Sequence, residues 1–443
     1  MAKEFSKPSP KLLEKTHHLM HEGFHTRAFP DTGHGLPEAL GDARWTDELI
    51  TATWYMAETG KCPDHLNYKT GRSGGGFDRL AFKSLPKDQH LAPDAEVDIS
   101  LELNRREDGR NKRRIAVPWY GGGMSYGSVS INVMMSRALA AKKWDTLMST
   151  GEGGYPEELY ACKEHVITQV ATGYFGVEEK SIQAAPIIEF KYAQGAKPGL
   201  GGHLLATKAG EEVAKMRGSV PFVSLFSPFP FHSTYSVEDH MKHLDWIKTI
   251  NPTAMMSVKV STPHDVDMVA VGSYYAGAHI IHLDGGFGGT GAAPEIAKKN
   301  IAMPIELAIP KVHKFMLKEG IRDKVTIIAS GGIRTADDMA KAIALGADGC
   351  VLGTSDLVAM GCTRCANCEG GPSGRGCPWG LTTTDVELQE YVQQAWGAER
   401  LNMYYTALSS RIKEILRELG LSTIGQLRGR TDLLRYISGG EAE

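Results

Sequence analysis

Along the middle of this chain, short apolar runs rich in β-branched residues alternate with stretches of helical period, and that alternation restricts the fold more than any other feature. The runs fall at 114–120, 145–150, 186–192, 220–226, 254–260, 278–284, 324–330 and 348–354. Between most of them the sequence reads as amphipathic helix, as in "INVMMSRALAAKKW", "SVEDHMKHLDWIKTI" and "ADDMAKAIALGA". Strands separated by helices run parallel, because each crossover returns the chain to the same end of the sheet. Eight such repeats within about 250 residues predict a (β/α)8 barrel, with a doubly wound open sheet as the competing architecture.

A chain of 443 residues with 42% hydrophobic content can bury a large core without disulfide staples. Its net charge of -3 supplies no basic field for nucleic acid, which is not expected as a partner. No apolar run has the length of a bilayer span, and the polar start "MAKEFSKPSPKLLEKTHH" does not read as a secretory signal, so a cytoplasmic protein without membrane contact is expected. In that reducing compartment Cys62, Cys162 and Cys350, each alone in the sequence, read as inert. Cys362, Cys365, Cys368 and Cys377 do not: they crowd into "GCTRCANCEGGPSGRGCPWG". From spacing alone a disulfide, a zinc site and an iron–sulfur cluster all stay open.

The 50 glycines gather at the ends of the apolar runs, in "PWYGGGMSYGS", "STGEGG", "AQGAKPGLGGH", "LDGGFGGTGAA" and "ASGGIRT". In a barrel those loops share the active face. "ASGGIRTADDM" and "VLGTSD", one βα unit apart, suit a phosphate held by backbone N–H groups, with Thr335 and Asp338 forming a helix cap beside it. The longer loops "GGGMSYGS" and "GGFGGTGAAP" could bring backbone close to a flat ring. Flavin mononucleotide (FMN) fits that combination; a dinucleotide would call for a G-x-G-x-x-G fingerprint in a βαβ unit, which is missing.

Taken in order, "GGGMSYGSVS", "STGEGG", "QVATGYFGV", "FKYAQGAKPGLGGH", "DGGFGGTGAAP", "ASGGIRTADDMAKAIALGADGCVLGT" and the cysteine cluster ending in "CPWG" resemble the FMN-binding synthase domain of glutamate synthase large subunits, over roughly residues 77–400. The resemblance implies a (β/α)8 barrel, an α/β fold, with an iron–sulfur loop after strand eight and helical N- and C-terminal extensions. It divides the chain into an extension (1–85), the barrel (86–384) with its cysteine loop (361–380), and a helical segment (385–443). It implies FMN beside Met124, Ser125, Tyr126, Gly285 and Gly286, with the phosphate at Gly331, Gly332, Arg334, Gly353 and Thr354. A dicarboxylate would meet Gln194, Lys197, Arg217 and His203, with Lys259 and Glu152 near the reacting carbon. Arg and Lys donors suit such a substrate, and an imine facing a flavin needs a proton source and fixed geometry.

By the same resemblance the cysteines bind an iron–sulfur cluster. The family's C-x5-C-x4-C-P pattern for [3Fe-4S] meets a longer last interval and an extra Cys365 here, giving C-x2-C-x2-C-x8-C-P, so [4Fe-4S] is equally open and zinc stays the alternative. "KPGLGGH" stands where the family usually has "KPGEGGQ", placing Leu200 and His203, and "GYFGV" replaces "GRFGV" at Tyr174. With no amidotransferase nucleophile at its start and no glycine-repeat β-helix, the chain resembles a branch that includes methylamine–glutamate N-methyltransferase. That implies amidotransferase-like and β-helix subunits in a hetero-oligomer, and N-methylglutamate made from methylamine and glutamate; the alternative is glutamate from 2-oxoglutarate and glutamine-derived ammonia. The phosphate motif is also similar to IMP dehydrogenase, but "GGFGGTGAAP" lacks that enzyme's cysteine. A cofactor-binding scaffold without turnover is the non-catalytic reading. "THHLMHEGFH" has metal-like composition but reads as a solvated helix.

Overall fold

The structure, a computed structural model, describes residues 41–110, 112–291, 293, 296–298, 300–369 and 375–437. "THHLMHEGFH" and most of "GGPSGRG" lie outside the described residues. Eight parallel strands close into a barrel. They are β1 (Trp119–Gly121), β2 (Met148–Ser149), β3 (Val166–Ala171) and β4 (Ile187–Lys191), followed by β5 (Met255–Ser261), β6 (Ile280–Asp284), β7 (Thr326–Ser330) and β8 (Gly349–Leu352). Each strand pairs with its sequence neighbour, and Cys350 against Trp119 closes the ring. The architecture expected from the alternation is therefore present.

One strand assignment is corrected. The run at 220–226 is not a barrel strand: Leu225–Phe226 pairs antiparallel with His203–Leu204 in a small ribbon between β4 and β5. Its residues are β-forming in composition but exposed, Val220 at 65% and Phe222 at 64%, whereas a barrel strand is buried on both faces. The place in the barrel belongs to β3, all six of whose residues are buried. β3 is reached through a 3-10 stretch, Glu157–His165, so no amphipathic helix announces it. The run at 114–120 also divides, with Arg114–Ile115 pairing Leu101–Glu102 below the barrel and only Trp119–Gly121 entering it.

The helices used below are α1 (Asp47–Thr59), α2 (Ile131–Lys143), α3 (Glu179–Ala184), α4 (Glu211–Arg217), α5 (Val237–Ile250), α6 (Val266–Tyr275), α7 (Ile305–Lys318), α8 (Ala336–Leu345), α9 (Thr354–Ala359) and α10 (Gln394–Glu418). Side-chain caps start several of them: Ser130 accepts from Val133 N on α2, Ser236 from Asp239 N on α5, and Thr335 from Asp338 N on α8. The last is the capping arrangement expected beside the phosphate motif. No helix among the described residues is long and apolar enough to cross a membrane.

The flanks share the barrel's core. α10 packs along α2 and α1, burying Leu401, Tyr404, Leu408, Ile412 and Ile415 at about 1.5–3 kcal/mol for each apolar side chain. Arg400 of α10 donates to the Ala359 and Trp54 carbonyls, which join the end of α9 to α1. Leu80–Phe82 pairs antiparallel with Leu434–Tyr436, so the segments before and after the barrel form one ribbon.

Along its axis the barrel interior changes character. Leu103, Tyr120, Leu147, Ile167, Ile187, Met255, Ile280, Ile328 and Val351 belong to a buried apolar plug. Above it, toward the C-terminal ends of the strands, stand Gln169, Glu189, Lys191, Ser257, Lys259, His282, Asp284 and Ser330, all buried. On β4, β5 and β6 these polar residues sit two apart, the period that returns a strand side chain to the same face.

Candidate functional site

Above the polar layer lies a cavity of about 920 Å³, lined by loops that follow the barrel strands and by the cysteine segment. That volume is at the upper end for a small-molecule site. At one end are Gly331, Gly332, Gly353 and Thr354. Gly331 has φ +88°, and a Cβ there would come within 2.3 Å of the Gly285 carbonyl oxygen, so only glycine fits the turn. Gly331, Gly332 and Gly353 donate no backbone hydrogen bond to another described residue. Unused N–H groups beside the first turn of α9 form a cradle for an anion such as phosphate.

The middle of the cavity is charged. Lys191, on β4, donates to Glu152 Oε1 at 2.8 Å and to Gln194 Oε1 at 2.7 Å. Glu152 lies flat against Gly202, where a Cβ would sit 1.8 Å from its carboxylate. Burial opposes its ionisation, but Lys191, Lys197 and Arg217 together hold its carboxyl below the ordinary value. Lys259 faces Asp284 at 3.3 Å; burial works against its charge, yet Asp284 and Glu189 raise it above the usual lysine range. Lys197 goes the other way, pushed down to about 8 by burial and by Lys191.

Arg217, at the end of α4, is 6% exposed. One terminal nitrogen donates to Ser125 Oγ and to the Tyr126 carbonyl, both at 3.0 Å, while its Nε has no partner. No carboxylate among the described residues comes within ion-pair distance, and burial lowers it to about 10 against the distant pull of Glu152. A buried guanidinium left this way costs several kcal/mol unless an anion arrives. His203 lines the same cavity and donates from Nε2 to the Leu200 carbonyl at 3.0 Å. Burial, then Lys197, lowers it below the ordinary histidine value.

The far end holds the cysteines. Cys362, Cys365, Cys368 and Cys377 all line the cavity and none is in a disulfide, which removes the staple reading for them. Arg364 and Ala366 take positive φ (61° each), curling the chain between the thiols, and Arg364 N donates to Cys362 Sγ at 3.4 Å. Burial, and then the other thiols, push Cys362 up to about 12 and Cys368 up to about 11, a conflict that a bound cationic centre relieves. Among the described residues no three or more Cys, His, Asp or Glu side chains gather closely enough for one metal ion.

Of the residues expected at the site, Met124, Ser125, Glu152, Gln194, Lys197, His203, Arg217, Lys259 and the four cysteines line one cavity with the glycine cradle. Four stand elsewhere. Tyr126 turns its hydroxyl to Glu212. Gly285 and Gly286 pack against Ile305 and the Ala302 carbonyl. Arg334 is spent on structure: it binds Asp78 at 2.6 Å and Asp338 at 2.8 Å, so its guanidinium holds the N-terminal segment rather than a phosphate. Of the three substitutions at Tyr174, Leu200 and His203, that at His203 lines the cavity; Tyr174 packs edge-on to Phe190 and Trp246, and Leu200 is exposed.

Lys191, Asp284, Gln169 and Lys208 also line the cavity and were not anticipated. The signal was available in "IIEFK" and "IIHLD", where charged residues two apart end strands that must be buried on both sides. Asp42 and Trp45 reach the cavity from before α1, and Asp42 pairs with Arg364 of the cysteine segment at 3.1 Å. No local pattern in the sequence signals that.

A parallel eight-stranded barrel with an anion cradle and a charged chamber at its C-terminal face defines the general class. Solved structures share this fold at low identity: a mutant flavocytochrome b2 with pyruvate bound (15% identical, TM-score 0.52, 97% of this chain and 92% of that chain) and the monotopic membrane protein (S)-mandelate dehydrogenase (14%, TM-score 0.51, 88% and 95%). The conserved region in glutamate synthase matches residues 80–422. The archaeal-type glutamate synthase [NADPH] of Thermotoga maritima is 39% identical over 418 residues, 89% of this chain and 81% of that protein. The archaeal glutamate synthase [NADPH] of Methanocaldococcus jannaschii is 41% identical over 321 residues (72% and 62%), and the glutamate synthase [NADPH] large chain of Azospirillum brasilense 35% over 331 (72% and 21%). The chain belongs to the glutamate synthase family.

Proposed function

We propose that the chain is the FMN-binding subunit of a glutamate synthase-type oxidoreductase whose incoming amine is methylamine. Hydride leaves Cα of glutamate to give 2-iminoglutarate, methylamine displaces ammonia at the imine carbon, and hydride returns to give N-methylglutamate. The exchange is redox-neutral and releases one ammonia for each methylamine consumed. When bound, FMN supplies the hydride-accepting and hydride-donating chemistry.

The observation that carries this reading is Arg217, a buried guanidinium facing the cavity with no carboxylate in ion-pair reach among the described residues. A dicarboxylate substrate neutralises it bidentately, and Lys197 of the same cavity lining takes the second contact. Gly331, Gly332 and Gly353 hold the cofactor's phosphate through their unused N–H groups. Lys197, lowered to about 8, can give and take a proton near neutrality while the amine is exchanged. Lys259 stays charged beside Asp284 and orients the substrate electrostatically. Cys362, Cys365, Cys368 and Cys377 hold an iron–sulfur cluster, [3Fe-4S] or [4Fe-4S], at the other end of the chamber.

His203 favours methylamine over ammonia, since an imidazole kept neutral by burial adds apolar surface where the family carries an amide. Amidotransferase-like and glycine-repeat β-helix subunits complete the complex. The test is an assay of the assembled complex with iron, sulfide and flavin quantified. Methylamine plus glutamate should give N-methylglutamate and ammonia. Formation of glutamate from 2-oxoglutarate with glutamine or ammonia, without N-methylglutamate, would instead establish ordinary glutamate synthesis.

A further inference from the structure

His282 stands on β6 in the polar layer, 1% exposed and outside the cavity lining. Both of its ring nitrogens are engaged: Nδ1 is 2.9 Å from Glu189 Oε2, and Nε2 is 2.7 Å from Ser330 Oγ. Ser330 in turn donates to Asp284 Oδ1 at 2.6 Å, and Asp284 Oδ2, which accepts from Gly195 N at 3.0 Å, lies 3.3 Å from Lys259 Nζ. One unbroken line therefore runs from Glu189 through His282, Ser330 and Asp284 to Lys259, joining β4, β6, β7 and β5.

Counting protons along that line leaves little freedom. Glu189 receives the Gln169 amide on Oε1 at 2.7 Å and the Ser257 hydroxyl on Oε2 at 3.0 Å, so its carboxylate only accepts and His282 Nδ1 must donate. Asp284 is likewise held below the ordinary value by Lys259, against burial, so it accepts the single Ser330 proton. Ser330 Oγ then has only lone pairs for His282, and Nε2 must donate as well. Charge points the same way. The ring meets Glu189 on β4, Ser330 on β7 and Tyr120 of β1, whose ring stands edge-on at 6.4 Å. Gln169 on β3 and Ser257 on β5 bond to Glu189, and Asp284 on β6 and Lys259 on β5 lie beyond Ser330. Two buried carboxylates against one ammonium leave a negative excess that a second cation removes.

We propose that His282 carries a proton on each ring nitrogen and is a positioning residue for Lys259, acting through Ser330 and Asp284. It fixes the Asp284 carboxylate so that one oxygen stays aimed at the Lys259 ammonium. This rests on the reading of Lys259 as a residue of the reaction.

Neutron diffraction from deuterium-exchanged crystals of the full chain tests the proton count without any turnover. Deuterons are expected on both Nδ1 and Nε2 of His282, with that of Ser330 directed at Asp284; a bare Nε2 overturns the inference. Ser330→Ala and Ser330→Thr then test the positioning role in the assembled complex. Loss of a hydrogen bond to an ionised group should lower kcat by about tenfold or more in Ser330→Ala, with KM nearly constant. Ser330→Thr, which keeps the hydroxyl, should restore it. Equal behaviour of the two variants, at unchanged flavin content and melting temperature, overturns the positioning role. Should the complex make no product from glutamate at all, the proposed reaction falls while the deuteron map still decides His282.

Discussion

At the scale of the residue, the chamber's chemistry follows from how little water reaches its charges. Lys197 shows this most directly, because burial and Lys191 bring it down to about 8 from 10.5. Between those values the unfolded chain binds more protons than the folded one, so the charged lysine detracts from stability below about pH 8 and that penalty disappears as pH rises toward 10.5. A bound dicarboxylate reverses the preference by favouring the ammonium. Affinity for 2-oxoglutarate or glutamate should thus be greatest below about pH 8 and fall above it, with proton uptake on binding. Isothermal titration at several pH values checks this. Lys197→Met should bind weakly and lose the pH dependence in that range; if it retains the same slope, another group controls binding. Arg217 and Glu152 were readable in the sequence only through family resemblance, since a charge at a helix end or in a glycine loop carries no local sign of burial. Lys197 and Lys259 had the added signal of following or ending an apolar run. Arg334 shows the opposite failure: a residue inside a legible phosphate motif whose side chain is claimed by Asp78, some 250 positions away along the chain and visible only once the fold is formed.

At the scale of the element, strands were found where burial and composition agreed and misplaced where they did not. The apolar runs at β4 to β8 were legible because both faces of each strand are covered. Residues 220–226 have the same composition without that cover, and β3 lacks the preceding helix that the alternation taught one to expect. The junction into β8 gives a sharp test. Asp348 is 4% exposed and accepts from Ile327 N at 2.7 Å and Arg322 at 2.9 Å, while Arg428 stands at 3.2 Å. It ties β7 to β8 at the floor of the barrel. Asp348→Ala leaves Arg322 buried without its anion, Arg428 keeping Asp323, and should destabilise the protein by about 3–5 kcal/mol, read from chemical denaturation. A loss below about 1 kcal/mol would mean that the arginines find other partners.

For the molecule as a whole, the sequence suggested a barrel between two separable extensions, and the packing joins them. Met56, Phe77 and Val97 from before the barrel and Leu408, Ile412 and Leu433 from after it belong to the same buried cluster as strand residues Phe190 and Val258. That continuity could not be read locally, because the pairing of Leu80–Phe82 with Leu434–Tyr436 spans nearly the entire described chain. A chain cut to residues 86–384 should therefore lose cooperative unfolding and bind flavin poorly, as judged by calorimetry and flavin fluorescence, although it retains every barrel strand. Independent folding of that piece at near-native melting temperature would show the extensions to be accessories. The apolar plug beneath the polar layer has a further consequence for traffic. With Leu103, Tyr120, Met255 and Ile328 stoppering the lower end, arriving and departing molecules must use the same doorway, so a small product leaving the chamber competes for passage with the reactant that replaces it.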